Sequence, residues 1–80
     1  MNHYIATFHT HLSALLSART LGEAGVSARL EPVPRKLSSS CGTCVRYEAE
    51  EDCREKMDED LEAVYRAEPG GGYEPLLRRE

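Results

Sequence analysis

The chain has 80 residues, 14 of them acidic and 10 basic, for a net charge of −4. That length holds one domain, read as residues 1–80, near the lower size at which one core sustains a fold, on the order of 3–5 kcal/mol of net stability. The negative balance argues against general nucleic-acid binding, which rests on neutralising phosphates, and no apolar run approaches the roughly 20 residues that span a membrane.

"HYIATF" (3–8) is rich in β-formers and reads as a strand. Thr10 then caps a helix through "HLSALLSARTLGEAG", with Gly25 as its stop. Ala14, Ala18, Leu21 and Gly25 line one narrow stripe of that helix, which predicts close packing on a sheet. Leu12 and Leu16 fall on the opposite side and read as surface leucines, with a homodimer or partner contact as the alternative. "VSARLE" (26–31) alternates and predicts a half-buried strand. Pro32 and Pro34 open an irregular loop, "PVPRKLSSSCG", longer than most hairpin turns. "TCVRYE" (43–48) alternates again, Val45 and Tyr47 facing inward and Cys44 and Arg46 sharing the other face, so Cys44 is expected outside the core.

From Glu50 onward Cys53, Met57, Leu61 and Val64 follow helical spacing until Pro69 and the glycines 70–72, which predicts a second helix with a buried Cys53. The acidic residues from Glu48 to Glu62 read as its solvated face. "YEPLLR" (73–78) is a last strand that Pro75 restricts to an edge. This order predicts an α+β, ferredoxin-like βαββαβ sandwich: an antiparallel sheet of order 4-1-3-2 with two helices on one face.

The amino-terminal "MNHYIATFHTHL" has no basic stretch followed by an apolar one, so the expected location is the cytoplasm. In a reducing compartment clustered thiols favour metal, catalytic or redox roles over a structural disulfide. Cys41 and Cys44 form a CxxC around Gly42, which permits a tight turn and leaves the sulfur open. In the expected topology strands 1 and 3 are antiparallel neighbours, so His9 and His11 should meet Cys41 beside the first helix's N-terminus. Arg35 and Lys36 in the same loop, with the helix terminus, would lower a thiol's pKa. Ser40 and the serines before it offer donors to an anionic sulfur.

"YIATFHTH", "LGEAGVSARLEPVPRKLSSSCG" and the spacing to "YEPLLR" resemble the family of small domains described as selenium or sulfur carrier protein-like. The resemblance covers nearly the whole chain and is most specific in "PVPRKLSSSCG". It implies that the cysteine of the Cys-Gly pair, here Cys41 followed by Gly42, is the carrier thiol; Cys44 and Cys53 are not part of that motif. The implied function is that of a carrier rather than a stand-alone enzyme. Cys41 takes a chalcogen from a donor, holds it as a persulfide or selenosulfide, and passes it to an acceptor enzyme. The implied donor is of the cysteine desulfurase or selenocysteine lyase type.

Two other readings stay open. Cys44 could resolve a reversible disulfide with Cys41, making a thiol–disulfide redox module. One CxxC plus His9 and His11 could hold zinc in a small interaction domain. The spacing matches known zinc knuckles poorly, so no metal and no cofactor are assigned.

Overall fold

The computed structural model describes residues 1–79. In chain order it contains strand β1 (Asn2–Phe8), helix α1 (His11–Glu23), strands β2 (Ser27–Pro32) and β3 (Thr43–Ala49), a short 3-10 turn (Arg54–Lys56), and strands β4 (Leu61–Ala67) and β5 (Tyr73–Arg78). The strands form one five-stranded sheet of order β2-β3-β1-β4-β5, and every neighbouring pair is antiparallel.

This corrects the expected ferredoxin-like βαββαβ sandwich with two helices and order 4-1-3-2. Among the described residues α1 is the one α-helix, and the segment expected to form a second helix supplies a loop, the 3-10 turn and β4. The place beside β1 belongs to β4, and the segment 73–78 is β5, the edge strand outside it. The apolar spacing of Cys53, Met57, Leu61 and Val64 is helical, and along a helix the like-charge pairs Glu51/Glu55, Glu55/Glu59 and Asp58/Glu62 would be offset by the opposite pairs Glu50/Arg54, Asp52/Lys56 and Glu62/Arg66, so charge does not decide the segment. Val64 and Tyr65 favour a strand instead, and Leu61, Ala63, Val64 and Tyr65 are all buried there, so β4 hides both of its faces. Cys53 is consequently not a core residue: it is half-buried, in the left-handed conformation (φ 53°), at the start of the 3-10 turn.

Local chemistry fixes the ends of α1. Thr10 caps it, its Oγ1 accepting from the Ser13 amide at 3.1 Å. At the other end Val26 N donates to Leu21 O (2.9 Å) and Gly25 N to Gly22 O (3.1 Å), a closure that places Gly25 at φ 83°. The helix buries Ser13, Ala14, Ser17 and Leu21, whereas Leu12, Leu15 and Leu16 are exposed. The two buried serines have partners: Ser13 Oγ donates to Asp60 Oδ2 (3.2 Å), and Ser17 Oγ accepts from the Asp58 amide (2.9 Å). These bonds pin the 58–60 turn to α1 and set where β4 begins.

The main core lies between α1 and the sheet and is built on Tyr4, Ala6 and Phe8 of β1, Val45 and Tyr47 of β3, and Leu61 and Val64 of β4. The rings of Tyr4 and Tyr47 stack at 5.3 Å. The opposite face carries Ile5 and Thr7 with their register partners Arg46, Cys44, Tyr65 and Ala63. No helix covers it, yet Ile5, Thr7 and Cys44 are fully buried. The proline-rich loop provides the cover. Lys36 Nζ donates to Gly71 O in the β4–β5 turn at one end of the sheet (3.0 Å), and Ser39 Oγ donates to Phe8 O at the other (3.0 Å). The loop therefore lies across this face, and Cys44, expected outside the core because of its facing, is buried beneath it.

Candidate functional site

The β1–β3 pairing brings the end of "TFHTH" beside the start of "CGTC", with Thr7 opposite Cys44. Cys41 is the last loop residue but one before β3 and is half-buried, its thiol donating to Thr43 O at 3.4 Å. Gly42 follows at φ 74°, a conformation costly for other residues, with no atom within 4 Å of where a Cβ would stand. The chain thus turns sharply after Cys41, with open space where a side chain at 42 would stand.

The two histidines flank this cysteine rather than bonding to it. His9 Nδ1 lies 3.3 Å from Ser40 Oγ, and His11 Nδ1 lies 3.3 Å from Thr43 Oγ1. Each imidazole meets a residue adjoining the Cys41–Gly42 pair, and among the described hydrogen bonds neither reaches the Cys41 thiol. Of the loop cations, Lys36 is held on Gly71 O and Arg35 is exposed to solvent.

Cys44 sits in a different environment. Its thiol is fully buried, with Pro32 O as a distant acceptor at 3.7 Å. Burial, reinforced by the Glu31 carboxylate opposite and only partly offset by Arg46, pushes its pKa up to about 11. At neutral pH it is a protonated thiol, not a nucleophile. The Cys53 thiol is also pushed up, by burial and then by Glu55.

Sequence reasoning missed Glu62, which it assigned to a solvated helix face. β4 bulges here: Thr7 pairs with Ala63 but Phe8 pairs with Leu61, so Glu62 is the extra residue. Its carboxylate is turned toward the cysteine loop, with Oε2 accepting from Ser40 Oγ at 2.8 Å and lying 3.5 Å from His9 Nδ1. Burial raises the Glu62 pKa, but the hydroxyls of Ser40, Ser39 and Thr7 and the Ser40 backbone together outweigh it and hold the carboxyl below its ordinary range. Thr7 Oγ1 and Glu62 Oε1 are nevertheless both buried without completing a hydrogen bond. Ser39, one of the serines expected to offer a donor to the sulfur, instead donates to Phe8 O. Nothing in the sequence separates Glu62 from its acidic neighbours; only the bulge does.

Glu62 is a third tie between the sheet and the loop that carries Cys41, beside those of Lys36 and Ser39, and it works as an anion. A carboxyl whose folded pKa is depressed adds stability above its unfolded pKa, about 4.3, and loses it as pH falls through the folded value. Amide protection factors at Ser39, Ser40 and Cys41, exchange rates corrected for the intrinsic effect of pH, should accordingly fall as the pH drops below the ordinary carboxylate range, before the core opens. Glu62→Gln should bring that low protection to neutral pH and remove its change with acid. Equal protection of these amides in both proteins at every pH would show that the carboxylate does not hold the loop.

Among the described residues no group of three or more His, Cys, Asp or Glu side chains could hold a metal ion, so the zinc reading finds no site there. No described helix is long and apolar enough to cross a membrane.

Comparison with known proteins bears on the same loop. No curated protein and no solved structure gives a significant match. The family model described as "Putative Se/S carrier protein-like" matches residues 3–65, a span running from β1 through the cysteine loop into β4. With more than half of its length under that match, the chain belongs to the Se/S carrier protein-like family.

Proposed function

We propose that the protein carries sulfur or selenium on Cys41. The observation that supports this best is the contrast between the two cysteines of the CxxC. Cys41 is part-exposed at the turn made by Gly42, while Cys44 is sealed beneath the loop with its thiol pushed to about 11. In the transfer, the Cys41 thiolate attacks the terminal sulfur of a donor persulfide. A new sulfur–sulfur bond forms, the donor's sulfur–sulfur bond breaks, and the donor cysteine leaves as its thiolate. The sulfur atom moves without net oxidation, so no further reagent is needed, and the selenium case is the same exchange. The acceptor step repeats it with Cys41 as the leaving group. The donor fits a cysteine desulfurase or selenocysteine lyase type of enzyme, since either presents a chalcogen at this oxidation level.

The reading is tested by an intact mass spectrum after incubation with a persulfide donor, taken with and without reductant. Gain of one sulfur mass, removed by reductant, is the expected result. Loss of two hydrogens with no gain would instead favour a Cys41–Cys44 disulfide module, a reading that the burial of Cys44 weighs against.

A further inference from the structure

On the loop-covered side of the sheet, a groove of about 490 Å³ runs between the serines 38–40 and the β4–β5 pair. Its volume falls in the range of small-molecule sites. Glu62 lines it from β4 and Arg78 from β5, where Arg78 is the register neighbour of Ala63. The Arg78 guanidinium is held 5.9 Å above the ring of Tyr65, which also lines the groove. Arg79 adds a second positive charge, its Nη1 donating to Glu59 O at 3.4 Å. Arg78 and Glu62 face one groove without forming an ion pair with each other, and among the described residues Arg78 has no carboxylate partner.

A groove holding opposite charges that do not neutralise one another selects for a ligand that carries both. A simple anion would meet the Glu62 carboxylate, and a simple cation would meet Arg78 and Arg79. A molecule with an anionic and a cationic group on one carbon satisfies each. Glu62 Oε2 accepts a single hydroxyl, that of Ser40, and a carboxylate oxygen has a second lone pair, so an ammonium arriving from the groove adds to the tie between Glu62 and the loop without breaking it. Ser38 stands on the same wall.

We propose that this groove binds a free α-amino acid as its zwitterion, the carboxylate on Arg78 and the ammonium on Glu62. The wall of the groove ends at Ser40, the residue before Cys41, so an amino acid of cysteine's size occupies space beside the carrier loop. The site does not depend on the carrier reading, because it requires no reaction at the thiol.

The test is an amide NMR titration of the Cys41→Ser protein with L-cysteine and L-serine under reducing conditions. Cysteamine, which lacks the carboxylate, and mercaptopropionate, which lacks the ammonium, serve as comparators. Saturable shifts at Ser39, Ser40, Ala63 and Arg78 are expected with both amino acids. Binding should fall about tenfold with either comparator, the scale of one lost charge-assisted contact. Arg78→Gln, an exposed position whose spectrum reports directly on folding, should weaken L-serine by a similar factor. Absence of saturable shifts, equal binding of cysteamine or mercaptopropionate, or an unaltered affinity in Arg78→Gln would overturn the proposal. Persulfide loading of the wild-type protein is measured separately, so failure of this site and failure of the carrier reading are told apart.

Discussion

Cys41→Ser should abolish persulfide loading, leaving no mass gain after exposure to a donor that modifies the wild-type chain to completion. The expectation follows from position. Attack on a persulfide needs a thiolate and access to the sulfur, and Cys41 is only half-buried, at the sharp turn made by Gly42. Cys44→Ser should slow loading by no more than a few fold, because a buried thiol with a pKa near 11 offers neither requirement. Its replacement puts a hydroxyl under the loop, so some loss of loop order is expected, and the folded spectrum separates that effect from chemistry. Equal and complete loss in both variants would mean that the two thiols act as a unit. Loading that persists in Cys41→Ser would move the carrier atom to another cysteine.

Phe8→Ala should unfold the domain. Phe8 is the chain's one phenylalanine and is fully buried at the end of β1, in the core between the sheet and α1. Truncating a buried phenylalanine costs about 3–5 kcal/mol, as much as the roughly 3–5 kcal/mol of net stability that a domain of this size holds. The variant should show a collapsed amide spectrum and no cooperative thermal transition at ambient temperature. A melt within a few degrees of wild type would show that the helix-side core is not what holds the sheet.

The parts of this fold legible in the sequence are those specified locally. Thr10 as a cap, Gly25 as a stop, the alternation of 43–48 and the edge placement of Pro75 each express one residue's chemistry at one position, and the structure contains all four. The segment 50–67 was misread because its apolar residues recur at helical intervals while its identity is decided elsewhere: Ser13 and Ser17 of α1 grip the 58–60 turn, and β1 receives β4 as its neighbour. Neither influence is local. The pairing of β1 with β3, and with it the meeting of the histidine segment and the cysteine loop, was expected from a ferredoxin-like topology and is present although that topology is not. The partners that the histidines take were not expected, because Glu62 reaches the loop through a one-residue bulge that no pattern in "DEDLEAVY" announces. The burial of Cys44 was hidden for a related reason: alternation says which face a residue is on, not that a loop will fold over that face.

The most direct test of the account is the location of the transferred atom. After loading and alkylation, trypsin releases Leu37–Arg46, the segment between Lys36 and Arg46 that contains both Cys41 and Cys44. Tandem mass spectrometry of that peptide should place the added, alkylated sulfur on the fragments that contain Cys41, with Cys44 carrying none. An added sulfur on Cys44 or Cys53, or a peptide lighter by two hydrogens with no sulfur gained, would contradict the assignment of Cys41 as the carrier thiol.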